Sequence, residues 1–304
     1  MIQYSIEELH HLFSSGELDA KAYYDELFKE IDIQQNRLNA FVTITKTKAY
    51  QDLEQADFKE LLSGIPYVLK DNTKGIQTTA SSRMLENYVP IYNAHVVDLL
   101  SQEGVCLVGK ASMDELAMGG TNKSALTGPV YNPWDSSRIA GGSSGGSAAL
   151  VGSGVVPFAL GSDTGDSIRK PAGFCGIVGF KPTWGRISRY GVIPYASSLD
   201  TVGAFTRNVR DMAIVIEALA GRDDRDMTSS QKEVPCYIKN LTDDIRGMKI
   251  AVLKSVSDEI RNVEIKTNFE KVIQTYKDLG AIVEEVTMPV ELMRTLLPTY
   301  TIIS

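Results

Sequence analysis

A chain of 304 residues, 43% of them hydrophobic, is long enough for one large domain or two ordinary ones around a substantial core. Its formal charge of −7 and pI near 5.2 set it against broad binding of nucleic acid, which needs clustered Lys and Arg, so any RNA would be held mainly by a partner. No run approaches the roughly 18 apolar residues of a membrane helix, and the acidic, amphipathic start MIQYSIEELHHLF is unlike a secretory leader.

These features predict a cytoplasmic protein without membrane contact. Cys106, Cys175 and Cys236 are spaced for neither a disulfide framework nor a zinc site and read as buried thiols. With only His10, His11 and His95 available, mechanisms with imidazole as the base have few candidates.

Residues 5–35 carry apolar residues at helical spacing (Ile6, Leu9, Leu12, Phe13, then Tyr24, Leu27, Ile31), with Ser14, Ser15 and Gly16 as a break between two helices. LNAFVTIT (38–45) reads as a strand, 47–62 as a helix, and IPYVLKDN (65–72) as a short apolar strand that delivers Lys70, Asp71 and Asn72 to a sheet edge. A helix over 94–103 and VCLVGK (105–110) make an α/β unit, and 111–207 is rich in Gly, Ser and Thr. A helix near 208–220 follows, then a polar surface segment over 221–246. Strand MKIAVLK (248–254), a helix over 258–279 and strand AIVEEVTM (281–288) form one more β-α-β passage. TYTIIS stops inside an apolar run without a helix stop signal, so the expectation is a C-terminally incomplete chain.

The densest chemistry lies in RIAGGSSGGSAALVGSGVVPFALGSDTGDSIRKPAGFCGIVGFKPTWGRIS (138–188). Gly-Ser-rich turns can aim several N–H groups at one oxygen, and so bind anions or oxyanions. A phosphate cradle at Gly141–Gly146 lacks the Lys-Ser or Lys-Thr pair that closes a P-loop. A nucleophile elbow at Gly165-Asp166-Ser167-Ile168-Arg169 ends in Arg where Gly is needed, and no histidine follows it. Ser167 and Lys170 satisfy S-x-x-K, but Pro171 disfavours helical geometry at Lys170 and the companion boxes are missing. Without histidine, a serine nucleophile needs a lysine whose pKa is lowered toward neutral, and Lys70, flanked by apolar residues, is the candidate.

GIPYVLKDN, AGGSSGGSAA and GSDTGDSIRKPAGFCGIVGFKPTWGRIS, in this order, resemble the three signature blocks of the amidase-signature family. The resemblance implies an α/β/α fold with a mixed central sheet, a single domain over 1–304 and a Ser-Ser-Lys triad. Its helical N-terminal region would be 1–62, its catalytic core 63–211, and 247–304 a further α/β unit. Carried over by position, the nucleophile is Ser167, the bridging serine in a cis peptide is Ser143, and the base is Lys70. Backbone N–H groups of Thr164, Gly165, Asp166 and Ser167 are implied as the oxyanion hole.

Within the family, KASMDELAMGGTNKSALTGPVYNPWD (110–135) and ISRYGVIPYASSLDTVGAFTRNVRD (187–211) are most similar to the A subunits of aminoacyl-tRNA amidotransferases. That resemblance implies hydrolysis of glutamine to supply ammonia, with the amidotransferase B and C subunits as partners. Glu-tRNA(Gln), and Asp-tRNA(Asn) where it is a substrate, would be held by the partner. ATP and Mg2+ would be used there too, with no metal or organic cofactor in this subunit. Met118, Gly119 and Gly120 are implied to line the glutamine pocket, with Tyr300 a further candidate near the end.

Asp166 departs from the family's usual glycine. Its carboxylate would oppose an oxyanion unless it turns outward or pairs with Arg169 or Lys170. His95, Trp134 and Trp184 read as structural, and Asp163 as a hydrogen-bonding brace of the serine loop. A freestanding small-amide amidase and a non-catalytic truncated copy are the competing readings.

Overall fold

The computed structural model describes residues 4–304, which form two compact units, one running to Ile238 and one spanning Lys239–Ser304. The first unit opens with the two predicted helices, α1 (Ile6–Ser15) and α2 (Ala20–Leu38). Ser5 and Glu8 close a capping box at the start of α1, and Gly16 ends it in the left-handed conformation that a residue without Cβ adopts freely. Asp19 caps α2, which buries Tyr24, Leu27, Phe28 and Ile31 at the predicted spacing.

β1 (Phe41–Ile44) follows, but α3 (Lys46–Gln55) stops well short of residue 62. Ala56 turns extended, Phe58 takes a φ of 55°, and the Ser63 hydroxyl accepts the Phe58 N–H in place of a helical carbonyl. Then come β2 (Pro66–Lys70), α4 (His95–Gln102), β3 (Cys106–Ala111), α5 (Gly145–Gly152) and β4 (Phe158–Asp163). α6 (Arg169–Cys175), β5 (Val178–Phe180), β6 (Thr201–Thr206) and α7 (Val209–Leu219) complete the unit.

The strands form one mixed sheet in the order β1-β3-β2-β4-β6-β5, the α/β arrangement expected. β2 runs parallel to both β3 and β4, while β1–β3, β4–β6 and β5–β6 are antiparallel. Every residue of β2, β3 and β4 is buried, which is why they read as nearly continuous apolar runs. Leu69 lies opposite Leu160, so the polar ends of β2 and β4 emerge together: Lys70 at one, Ser162 and Asp163 at the other.

The polar segment after α7 differs from the plain surface loop predicted over 221–246. Asp223, Asp226 and Ser229 are buried. The Ser188 hydroxyl donates to Asp223 at 2.7 Å, the Arg189 N–H donates to Asp226 at 2.8 Å, and the Arg186 guanidinium donates to the carbonyls of Lys232 and Glu233. Satisfied internal polar pairs, invisible to a count of apolar residues, fasten residues 223–233 to the rest of the first unit.

The second unit is the predicted β-α-β passage: β7 (Lys249–Leu253), α8 (Lys254–Ser257), α9 (Val263–Asp278) and β8 (Ile282–Val286), the strands parallel, then α10 (Val290–Ile303). Cys106 and Cys175 are buried, and burial pushes both thiols up to about 12. Cys236 is only half-buried, contrary to expectation. Among the described residues no helix is long and apolar enough to cross a membrane.

The start of α5 depends on its glycines, Gly146 above all. A Cβ on Gly146 would lie 2.5 Å from the carbonyl oxygens of both Ala40 and Ser112, backbone atoms that cannot swing aside. Gly146→Ala should lower the unfolding free energy by about 2–3 kcal/mol in denaturant melts; an unchanged midpoint would contradict this packing.

Candidate active site

Lys70 is the last residue of β2 and has no solvent exposure. Its amine donates to the Ser143 hydroxyl at 2.8 Å, the Ser162 hydroxyl at 2.9 Å and the Ser162 carbonyl at 3.2 Å. Burial brings the amine down from its usual 10.5 to about 7, against the opposing pull of Asp163, Asp114 and Asp200. An amine near 7 is neutral often enough in neutral water to accept a proton.

Ser143 follows Gly142 through a cis peptide and is fully buried. Its carbonyl accepts the Asp114 N–H at 3.1 Å, and the neighbouring Ser144 N–H donates to the Ser167 carbonyl at 3.2 Å. The two serine segments are thus tied through backbone. Among the described residues no hydrogen bond joins the Ser143 and Ser167 hydroxyls. Ser167 sits in the turn between β4 and α6 and is 6% exposed, so of the three side chains it alone reaches toward solvent.

Asp163 braces that turn as expected. Its carboxylate accepts the N–H groups of Ile168 and Arg169 and the Arg169 guanidinium through both oxygens. Burial opposes its ionisation, but these donors win and hold the carboxyl below its usual value. The backbone N–H groups of Thr164, Gly165, Asp166 and Ser167 donate to no acceptor among the described residues, which leaves a row of donors beside the Ser167 hydroxyl.

Asp166 does not have a positive φ, and its carboxylate pairs with the Lys170 amine at 2.6 Å. Lys170 lies inside α6, against the expectation set by Pro171. The proline falls in the first turn, the Ser167 carbonyl that an N–H at 171 would have met accepts the Ser144 N–H instead, and the Lys170 N–H reaches back to the Asp166 carbonyl at 2.8 Å. The S-x-x-K reading therefore fails, since the amine faces Asp166.

The loop carrying Met118, Gly119 and Gly120 comes to the same place. The Asp114 carboxylate accepts the N–H groups of Thr121 and Asn122, a Cβ on Gly119 would fall onto that carboxylate, and one on Gly120 would lie 2.6 Å from the Lys170 amine. Met118 is exposed. Tyr300 lies in α10 of the second unit.

Sequence reasoning missed Ser162 and Asp114, and it placed Asn72 at the sheet edge without a partner. The Asn72 amide donates to the Ser162 hydroxyl at 3.0 Å and the Ile193 carbonyl at 3.2 Å, so Ser162 links two residues of the IPYVLKDN run. Both lie in the quoted blocks; only the pairing of β2 with β4 would have exposed the link. Next to Lys70, Asp71 faces the buried Lys110 amine at 3.2 Å, and burial lowers the Lys110 amine although Asp71 resists. The structural readings of the other standouts agree with what they touch. His95 faces Arg225 and Asp223, Trp134 donates to the Cys175 carbonyl at 2.7 Å, and the Arg189 guanidinium lies 4.8 Å from the Trp184 ring.

A buried lysine on a serine, beside a second serine with unoccupied N–H donors, is the equipment of an amide hydrolase that works without imidazole. Residues 23–304 match the family model described as Amidase, and the chain belongs to the amidase family. It is 46% identical over 292 residues to the A subunit of the glutamyl-tRNA(Gln) amidotransferase of Enterococcus faecalis, covering 94% of this chain and 60% of that one. To the equivalent protein of Caldanaerobacter subterraneus it is 44% identical over 308 residues, covering 99% and 63%. The chain thus spans about 60% of the length of the curated relatives it matches.

Among solved structures, the A subunit of the glutamyl-tRNA(Gln) amidotransferase of Thermotoga maritima superposes with a TM-score of 0.90 at 37% identity, over 99% of this chain and 64% of that one. A peptide amidase of Stenotrophomonas maltophilia gives 0.88 at 31%, over 97% and 65%.

Ser162→Ala removes one acceptor that favours the charged form of Lys70 and one partner of Asn72. Unfolding free energy should fall by about 1 kcal/mol, and the Lys70 amine should titrate at lower pH than in the parent; a higher value would refute this role for Ser162.

Proposed function

We propose that this chain is the catalytic core of the A subunit of a glutamine-hydrolysing amidotransferase, in which Ser167 is the nucleophile, Ser143 the proton bridge and Lys70 the base. The observation that carries this reading is the solvent-free Lys70 amine, lowered to about 7, resting 2.8 Å from the Ser143 hydroxyl. Similarity to A subunits over nearly the whole chain supports the substrate.

In the proposed reaction neutral Lys70 takes the Ser143 proton as Ser143 takes that of Ser167, and the Ser167 oxygen bonds to the side-chain amide carbon of glutamine. The resulting oxyanion is met by the N–H groups of residues 164–167, a term worth about 3–4 kcal/mol per donor. Collapse breaks the carbon–nitrogen bond, the proton held by Lys70 returns through Ser143 to the departing nitrogen, and ammonia leaves an acyl-Ser167. Water, activated by the same relay, then releases glutamate.

The ammonia would be consumed in a complex with the B and C subunits. There the B subunit would hold Glu-tRNA(Gln), or Asp-tRNA(Asn) where it is a substrate, and ATP with Mg2+ held by that subunit would supply the activation for amidation. Met118, Gly119 and Gly120 would line the glutamine pocket. The likeness to a peptide amidase keeps a freestanding amidase as the second reading, distinguished by turnover that needs no partner.

The test is ammonia release from glutamine by the full-length protein, on its own and with the B subunit and Glu-tRNA(Gln). Ser167→Ala should lower turnover by about 10⁴-fold or more, and equal turnover would defeat the assignment. Because Lys70 must be neutral to act, kcat/KM should rise with pH through about 7 and level off above it. A profile flat from pH 5 to 9 would exclude Lys70 as the base.

A further inference from the structure

We propose that Asp200 is a positioning residue for the turn that carries the nucleophile: its carboxylate ties Thr164, the first of the row of N–H donors, to the turn at Tyr195 and Ala196, and so fixes where those donors stand relative to the Ser167 hydroxyl. This rests on the reading of Ser167 as the nucleophile given above and adds to it a residue with no part in the relay.

Strand register brings the two residues together. β4 and β6 run antiparallel with Asp163 opposite Thr201, so Thr164, one residue past β4, and Asp200, one residue before β6, come together where the ladder stops. Beyond that point the pairing is continued by side chains, the Thr164 hydroxyl donating to Asp200 Oδ1. Asp200 is 6% exposed, and its carboxylate also accepts the Tyr195 N–H at 2.9 Å and the Ala196 N–H at 3.1 Å from both oxygens. A carboxylate withdrawn from water keeps its charge only among such donors. Because both oxygens accept, an amide at this position, with one acceptor and one donor group, could not satisfy the same partners.

The turn is thereby held at both ends. Asp163 takes the N–H groups of Ile168 and Arg169 on the far side of Ser167, and Asp200 takes Thr164 on the near side. The carbonyls between them have partners of their own: Gly165 accepts from Arg169, Asp166 from Lys170 and Ser167 from Ser144. Among the described residues the bond to Asp200 is the one hydrogen bond that Thr164 makes. Donors that stabilise an oxyanion are effective because they are already in place when the charge forms, and a misplacement of about 1 Å costs on the order of 10²-fold in rate.

The other end of the tie reaches the pocket wall. Tyr195 packs against Ala80, Met113 and Ala117, the last of which directly precedes Met118 of the loop proposed to line the glutamine pocket. One carboxylate thus joins the N–H groups that would meet the oxyanion to the wall that would meet the substrate. Its charge has a separable effect, since it favours the protonated form of Lys70. Neutralising Asp200 would leave more of that amine uncharged at pH 7, so a fall in turnover there belongs to the donors and not to the base.

The experiment measures ammonia release by the full-length protein in its complex, from glutamine and from propanamide. The parent is compared with Asp200→Asn, Thr164→Val, the double variant and Ser167→Ala. Asp200→Asn should lower kcat about 10²-fold and Thr164→Val about tenfold, with KM staying within about threefold of the parent. The double variant should lose no more kcat than Asp200→Asn, because both changes remove one and the same tie. The midpoint of the rise of kcat/KM with pH should move to lower pH in Asp200→Asn and stay in place in Thr164→Val, which keeps the carboxylate. Losses that lie in KM, that multiply in the double variant, or that come with a moved midpoint in Thr164→Val would overturn the inference and leave Asp200 a brace of the fold. Should circular dichroism show that Asp200→Asn does not fold, the split between kcat and KM in Thr164→Val decides alone. If the parent hydrolyses propanamide but releases no more ammonia from glutamine than Ser167→Ala does, the glutaminase reading fails, and the same variants read on propanamide still judge the role of Asp200. Hydrolysis of neither amide would defeat both.

Discussion

A primary amine with no solvent around it, at the end of a strand buried on every residue, is the constraint on which this structure turns. Water would hold that amine charged; the protein interior makes the charged form expensive and so turns a lysine into a base. The surrounding architecture provides the acceptors that the amine must have in place of water. β4 runs parallel to β2 and brings Ser162 with both its hydroxyl and its carbonyl, and the turn before α5 brings Ser143. Carboxylates of Asp163, Asp114 and Asp200 act on the amine without bonding to it, each bound instead to backbone N–H groups. The charge needed to tune the base is thus kept at a distance from it.

Much of this is legible in the chain, and unevenly. The capped, periodic helices α1 and α2 and the apolar runs that become β2, β3 and β4 announce themselves because local chemistry and burial agree there. Lys70, Ser143 and Ser167 stand out because three separated blocks resemble one family, and the absence of a usable histidine points to a lysine. What stays hidden depends on pairing across the sheet or between loops. Ser162 looks like one hydroxyl among many until β4 is set beside β2, and Asn72 acquires meaning only through it. Lys170 misleads because the carbonyl that an N–H at 171 would have met, that of Ser167, is already taken by the Ser144 N–H of another loop, a pairing the local sequence does not show.

The glycines tell a related story. Their density suggests loops that wrap an oxyanion, yet several answer to a carboxylate instead. Asp114 accepts from Thr121 and Asn122 so closely beneath the chain that a Cβ on Gly119 or Gly142 would strike it. Gly142 precedes Ser143, whose carbonyl takes the Asp114 N–H. One acidic side chain therefore gathers the pocket loop and the bridging serine, which is a packing role that composition alone does not separate from a binding one.

Burial of Lys70 also bears on how such a protein changes over generations. The unfolded chain carries this amine at its ordinary 10.5 while the folded chain holds it near 7, so between those values the unfolded state binds more protons and the residue's contribution to stability improves as pH rises. At neutral pH the fold would be better served by an apolar side chain at this position. Selection for heat resistance by itself would therefore erode the centre of the site first, and the amine endures in a lineage only while the chemistry is selected together with the fold.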